Sequence, residues 1–305
     1  MLDLAFLSSL RESIIVLVRE ALPEPQASLL LGMILGVKSG FPQDFYEALR
    51  ITGTLHVVVV SGFNITVIIN TLARFFSFLP LKPRFLITFL FITAFVLLVG
   101  VNPPVIRAAL MGSIALLGTV LGRQRDALRI LLLSSVVMLL FQPSWLVELS
   151  FQLSFLATLG LIVGQPVLDR VIPGAKGMLL REDFITTASA QLLVWPLIAY
   201  HFGQVSLLSP IINALILWVV PLLTYMGLVT ITIGLLINKF TLLIMLPNRV
   251  FLDFFVEVVK LFSSVKVGYF AVSPFGLAAL AFYFVVLGGL GWFLYQSYQQ
   301  KRETA

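Results

Sequence analysis

The chain has 305 residues, of which 59% are hydrophobic and 11% charged, with a formal net charge of +6 and a mean hydropathy of +1.05. Soluble domains carry about 25% charged residues, so the solvent for so much apolar surface has to be lipid. The absence of cysteine excludes disulfide frameworks, thiolate metal sites and cysteine nucleophiles, and only two histidines leave little for a metal site.

The excess of Lys and Arg fits the bias of membrane proteins towards basic cytoplasmic loops. Residues 1–53 do not read as a cleavable signal peptide, because Asp3, Arg11 and Glu12 interrupt the apolar run. Leu7, Leu10, Ile14, Leu17 and Val18 instead fall at helical spacing and predict an amphipathic helix. The next apolar run, ASLLLGMILGV, has about 11 residues, too few to cross roughly 30 Å of hydrocarbon. It predicts a buried or re-entrant piece, followed by the charged stretch KSGFPQDFYEALR.

Spans of adequate length then follow at about 54–73, 84–100, 105–122, 127–141, 146–164, 184–201, 210–237 and 275–296. The expected fold is therefore all-α, a polytopic transmembrane bundle of about eight spans (seven to ten). Its parts are an extracytoplasmic N-terminal segment at 1–53, a membrane domain at 54–296 and a short cytoplasmic tail at 297–305. Pro210 and Pro221 make 210–237 either one kinked helix or two shorter pieces.

Arg74, Lys82 and Arg84, then Arg123, Arg125 and Arg129, then Arg170, Lys176 and Arg181 mark three basic loops. The loops between them, near 101–104, 142–145 and 202–209, have none, which places the basic loops and the Lys301-Arg302 tail in the cytoplasm. That orientation leaves a parity conflict after residue 205. Either 210–237 is a hairpin or the segment 250–267 crosses as well. In that segment Asp253, Glu257 and Lys260 form one polar stripe, which suits an interfacial helix or a span beside a water-filled path. Gly32/Gly36 and Gly118/Gly122 fit small-residue helix contacts.

Polar residues inside the apolar runs are the candidate functional positions, because each must be paired or face water. The first group is His56, Ser61, Gly62 and Asn64 in TLHVVVVSGFNIT. On a helix, His56 and Ser61 lie about 140° apart, whereas Ser61 and Asn64 share a face. Arg107, one turn into the helix opened by NPPVIRAALMGS, either snorkels to the interface or faces inward to meet a carboxylate or phosphate. Glu148 and Gln152, followed by Ser154, share a face in WLVELSFQLSF. Thr186, Thr187, Ser189 and Gln191 form an uncharged polar patch in the sixth span. A Ser–His dyad has no supporting signature, and H-E-x-x-H, G-x-S-x-G, Walker A and GxGxxG are absent, so the chain reads as a non-enzyme without metal or cofactor.

Four blocks then carry a resemblance. TGTLHVVVVSGFNI (52–65), NPPVIRAALM (102–111), GRQRDALRILLL (122–133) and QPSWLVELSFQLSFLATLGL (142–161) resemble, in order, motifs of the ComEC competence proteins. That family has, commonly, a second histidine where this chain has Asn64. The resemblance implies an inner-membrane, multi-pass channel module that passes single-stranded DNA into the cytoplasm during natural transformation. The OB-type and metallo-β-lactamase-like domains of larger members are not expected in this sequence. The implied partners are single-stranded DNA, membrane lipid, a separate DNA receptor, a nuclease or helicase, and a second copy of the chain. His56, Ser61, Gly62, Asn64, Arg107, Glu148, Gln152 and Ser154 are then path candidates, and Arg123, Arg125 and Arg129 form a cytoplasmic basic loop. The alternatives are a transporter of a small polar or anionic solute and an intramembrane serine hydrolase.

Overall fold

The computed structural model describes residues 4–37, 39–58, 62–123, 126–172, 179–237, 241–265 and 269–289. The chain opens with α1 (Leu4–Ala21), α2 (Gln26–Leu35) and α3 (Gln43–Thr52). In α1 the expected face is the buried one, with Leu7, Ile14, Leu17 and Val18 inside and Leu10 packed at its edge.

α2 is apolar on every side, and all its residues from Ala27 to Leu35 are buried. At 1.5 Å per residue its ten residues cover about 15 Å, half a bilayer core. Gly36 (φ 68°) stops it, with the amides of Gly36 and Val37 donating back to the carbonyls of Gly32 (3.1 Å) and Leu31 (3.4 Å). α3 buries Phe45, Ala48, Leu49 and Thr52, one helical face, and ends at Gly53 (φ 69°).

The first expected span is described as α4 (Leu55–Val58) and α5 (Gly62–Phe75), on either side of residues outside the description. A 3-10 turn (Phe76–Phe78) leads into α6 (Leu81–Val99), then α7 (Pro103–Val120) and α8 (Ala127–Phe141). A second 3-10 turn (Pro143–Val147) precedes α9 (Leu149–Val171), which forms a hairpin with α10 (Leu179–Phe202). At that hairpin Gly160 lies directly on the Ser189 carbonyl, a backbone approach that a side chain would block. The expected contact at Gly118/Gly122 is not made: a Cβ on either would meet nothing within 4 Å. Gly122 instead takes φ 65° in the turn after α7.

The run at 210–237 is two helices, α11 (Ser209–Ile216) and α12 (Val219–Leu236). Pro210 and Pro221 both fall in a first turn, where the missing N–H costs nothing, so they start helices here and do not kink one. Next come α13 (Thr241–Val265) and α14 (Leu277–Gly289). One core joins α1, α2, α3 and α4 to α11, α12 and α13, centred on α2. A second joins α5, α6 and α7 through Ile65, Ile69, Ile92, Val96 and Val105.

Among the described residues four helices are long and apolar enough to cross a membrane: α6, α7, α9 and α12. A short antiparallel pair, β1 (Gln204–Ser206) with β2 (Tyr269–Ala271), ties the chain before α11 to the chain after α13. The segment between them therefore crosses an even number of times. α11, eight residues and about 12 Å long, is too short to span, so if α12 crosses, α13 carries the chain back. α13 exposes Glu257 and Lys260 away from a face that buries Met245, Leu252, Phe255 and Val259, with Asp253 at the edge between them, where it accepts from Gln26 of α2.

The cysteine-free sequence allows a direct check. Single cysteines at the exposed positions Leu207 and Phe270 should both react with an impermeant maleimide from one side. A cysteine at Leu236 should react only after permeabilisation. Labelling of Leu207 and Phe270 from opposite sides would reject the paired arrangement.

Candidate functional site around Arg107

Asn102 (φ −120°, ψ 145°) is extended, and Pro103 and Pro104 preset the first turn of α7, so the helix starts sharply. Arg107 follows one turn in and is half-buried. Its Nη1 donates to the main-chain carbonyl of Ser154 on α9. Among the described residues its buried Nε has no partner, and neither has the buried Ser154 hydroxyl. Gly62, the first residue of α5, covers the guanidinium: a Cβ there would stand 2.6 Å from Nη2 and 3.4 Å from the Ala108 Cβ. A side chain there would have to push the end of the Arg107 side chain aside.

Three expected residues, Gly62, Arg107 and Ser154, thus meet at one point. Arg107 and Ser154 are the fifth and sixth residues of α7 and α9, so the early parts of these two helices meet beside Gly62 of α5. Among the described residues Arg107 has no carboxylate partner. The result is a fixed cation inside an apolar bundle, suited to meeting an anion.

The remaining candidates lie elsewhere. Asn64 is fully buried and donates from Nδ2 to the Met33 carbonyl of α2 at 2.9 Å, while its Oδ1 has no partner. Since the capping amides take Gly32 and Leu31, Asn64 is what satisfies the Met33 carbonyl at the end of α2. Asn64→Ala should therefore cost about 1–3 kcal/mol, the penalty of a buried unsatisfied carbonyl. The check is a drop in the melting temperature of the detergent-solubilised protein; an unchanged melt would remove the capping role.

His56 is exposed, with Nδ1 3.0 Å from the Gly53 carbonyl, so Nδ1 carries the proton in that contact. Ser61 lies outside the described residues. Glu148 and Gln152 do not share a helix face, because the 3-10 turn delays α9 until Leu149 and leaves Glu148 flanking it. Glu148 accepts from the Ser150 hydroxyl at 2.5 Å, and Gln152 donates to the Leu146 carbonyl at 2.9 Å. Both serve the helix start. Arg123 is exposed, Arg125 lies outside the described residues, and Arg129 pairs with the capping Asp126 at 3.0 Å. α7 runs 13 residues beyond Arg107, about 20 Å, before the turn that carries Arg123, so the basic loop is at the other end of the bundle.

Sequence reasoning passed over a second buried polar cluster. Gly53 lies against Ser209 at the head of α11, where a Cβ would come within 2.9 Å of it. The Ser209 hydroxyl donates to the Gly53 carbonyl (3.3 Å) and accepts from Gln191 and from Asn213 (3.2 Å). Beside it, Thr52 and Thr54 share a hydrogen bond of 2.8 Å. The signal was present in Thr52-Gly53-Thr54 and in Asn213, a polar residue in an apolar run.

The comparisons with known proteins follow the same segment. The family profile described as Competence protein matches residues 33–297. ComE operon protein 3 of Bacillus subtilis (strain 168) is 29% identical over 221 residues, covering 71% of this chain and 27% of that protein. An uncharacterized protein of Aquifex aeolicus (strain VF5) is 32% identical over 189 residues, 59% of this chain and 42% of the relative. The chain thus spans less than half the length of these relatives. No solved structure matches.

Proposed function

This chain belongs to the competence protein family, and from that premise we propose that it is the membrane module through which single-stranded DNA crosses the cytoplasmic membrane in natural transformation. The carrying observation is Arg107, held between α5, α7 and α9, with a buried Nε that has no partner among the described residues. A phosphodiester entering an apolar bundle needs a fixed cation to replace its water, and a guanidinium fork suits phosphate oxygens. A single positive point of this kind reads charge and ignores base identity, as strand passage requires.

In this reading the heads of α5, α7 and α9 face outward and the loops at Arg74, Arg84, Arg123 and Arg129 face the cytoplasm, following the positive-inside bias. The multi-pass protein then sits in the cytoplasmic membrane, and a separate DNA receptor and nuclease or helicase are its expected partners. The role is passage and not catalysis. The test is uptake of end-labelled DNA in a strain deleted for the gene: uptake should stop at the outer face. Unchanged internalisation would end the reading.

The same Arg107 would serve a carrier of a small anionic solute, the second reading. Normal transformation together with a defect in anion accumulation would favour it. Labelling of Ser61 by a serine-reactive covalent probe would favour a hydrolase.

A further inference from the structure

At the opposite end of the second core lies a cavity of about 380 Å³ between α5, α6 and α7. Arg74 in the last turn of α5 and Arg84 in the first turn of α6 both line it, brought together by the 3-10 turn at Phe76–Phe78. Asn70 and Ser77 add neutral hydrogen-bonding groups, and Phe85 and Leu116 form an apolar wall. No carboxylate lines the cavity, and neither arginine has an ion-pair partner among the described residues. Two arginines lining one cavity of mixed polarity, with no neutralising partner among the described residues, match an oxyanion of the phosphate class.

The surroundings decide which phosphate. Phe75 and Phe78 at the turn are 70% and 74% exposed, and the outward face of α6 exposes Leu86, Phe89 and Leu90. Aromatic side chains at the end of an apolar span mark the headgroup level, and basic pockets between membrane helices hold anionic headgroups. A ligand with a phosphate head and acyl chains satisfies both the arginines and the bare face of α6. A free phosphate would leave that face unused.

We infer that the cavity bounded by Arg74 and Arg84 is a binding site for an anionic phospholipid of the leaflet that faces the basic loops. The inference is independent of any role for Arg107. Other cations at this end, Lys82 and Arg123, lie outside the cavity lining and are exposed, so they provide the contrast between a built site and diffuse attraction.

The experiment is native mass spectrometry of the detergent-solubilised protein with added phosphatidylglycerol or phosphatidylcholine. Phosphatidylglycerol adducts should persist on the wild-type protein, and phosphatidylcholine, whose choline cation offsets its phosphate and is repelled by the two arginines, should give at least tenfold fewer at equal concentration. Arg74→Gln/Arg84→Gln should remove the preference, whereas Lys82→Gln/Arg123→Gln should keep it. Equal retention of the two lipids by the wild-type protein, a comparison that needs no variant, overturns the inference. So does loss of preference in the Lys82/Arg123 variant. Displacement of phosphatidylglycerol by millimolar inorganic phosphate assigns the cavity to a soluble anion, and displacement by oligodeoxythymidylate assigns it to nucleic acid; either result overturns the lipid assignment.

Discussion

Replacing Arg107 with Gln is expected to lower transformation about a hundredfold, the scale of removing one partner from a desolvated charge contact, while the protein stays in the membrane at near wild-type level. Loss of function and loss of fold separate at this residue. The Ser154 carbonyl also accepts from the Thr158 hydroxyl at 3.1 Å, so the substitution leaves no backbone acceptor without a partner. What disappears is the fixed cation between α5, α7 and α9. Arg107→Lys keeps the charge and loses the fork, and should fall about tenfold, one charge-assisted hydrogen bond of roughly 1.5 kcal/mol. Transformants per recipient cell, scored beside immunoblots of the membrane fraction, measure both effects. Wild-type frequencies in Arg107→Gln at normal protein level would remove this residue from the path.

Gly32→Val should have the largest effect on the fold. A Cβ at Gly32 would collide with the main-chain carbonyl of Val58, and no rotamer change moves a backbone atom away. α2 is enclosed by α1, α4, α12 and α13, so it has no direction in which to yield. Overpacking of cores costs about 1–3 kcal/mol, and a backbone clash belongs at or above the upper end. Gly118→Val is the control, with nothing within 4 Å of the new side chain and an expected change within about 0.5 kcal/mol. Thermal melts of the two solubilised variants give the comparison. Equal melting temperatures would reject the account of α2 as a fixed wedge.

Those two glycines show where sequence reading stops. Both sit in small-residue pairs at the same spacing, yet one touches a backbone and the other nothing. Composition was enough for an all-α membrane bundle, and the spacing of Leu7, Ile14, Leu17 and Val18 was enough for the buried face of α1. Within lipid, however, hydropathy loses its contrast, because lipid tails are as apolar as a core. In α8, Leu131 and Met138 are buried while Leu132, Leu133 and Leu140 are exposed, all in one apolar run. Polar residues kept their information. Arg107 and Asn64 stood out by chemistry alone, though their partners, Ser154 and Met33, lie 47 and 31 residues away and no local pattern names them. Glu148 shows the opposite failure: a local pattern assumed a helix that begins one residue later.

The enclosure of α2 also constrains biosynthesis. Gln26, at its start, donates to Asp253 across 227 residues of sequence. At a synthesis rate of about 5–20 residues per second, α2 leaves the ribosome roughly 10–45 s before the helix that completes its cover. During that interval a segment too short to span the bilayer has α1 and α4 beside it but lacks α12 and α13. The early helices must therefore wait in an open assembly, kept by the insertion machinery or by α1, and the native core closes only when α12 and α13 arrive. A chain interrupted before α13 would leave α2 in the membrane as exposed backbone ends, a state that quality-control proteases are built to remove.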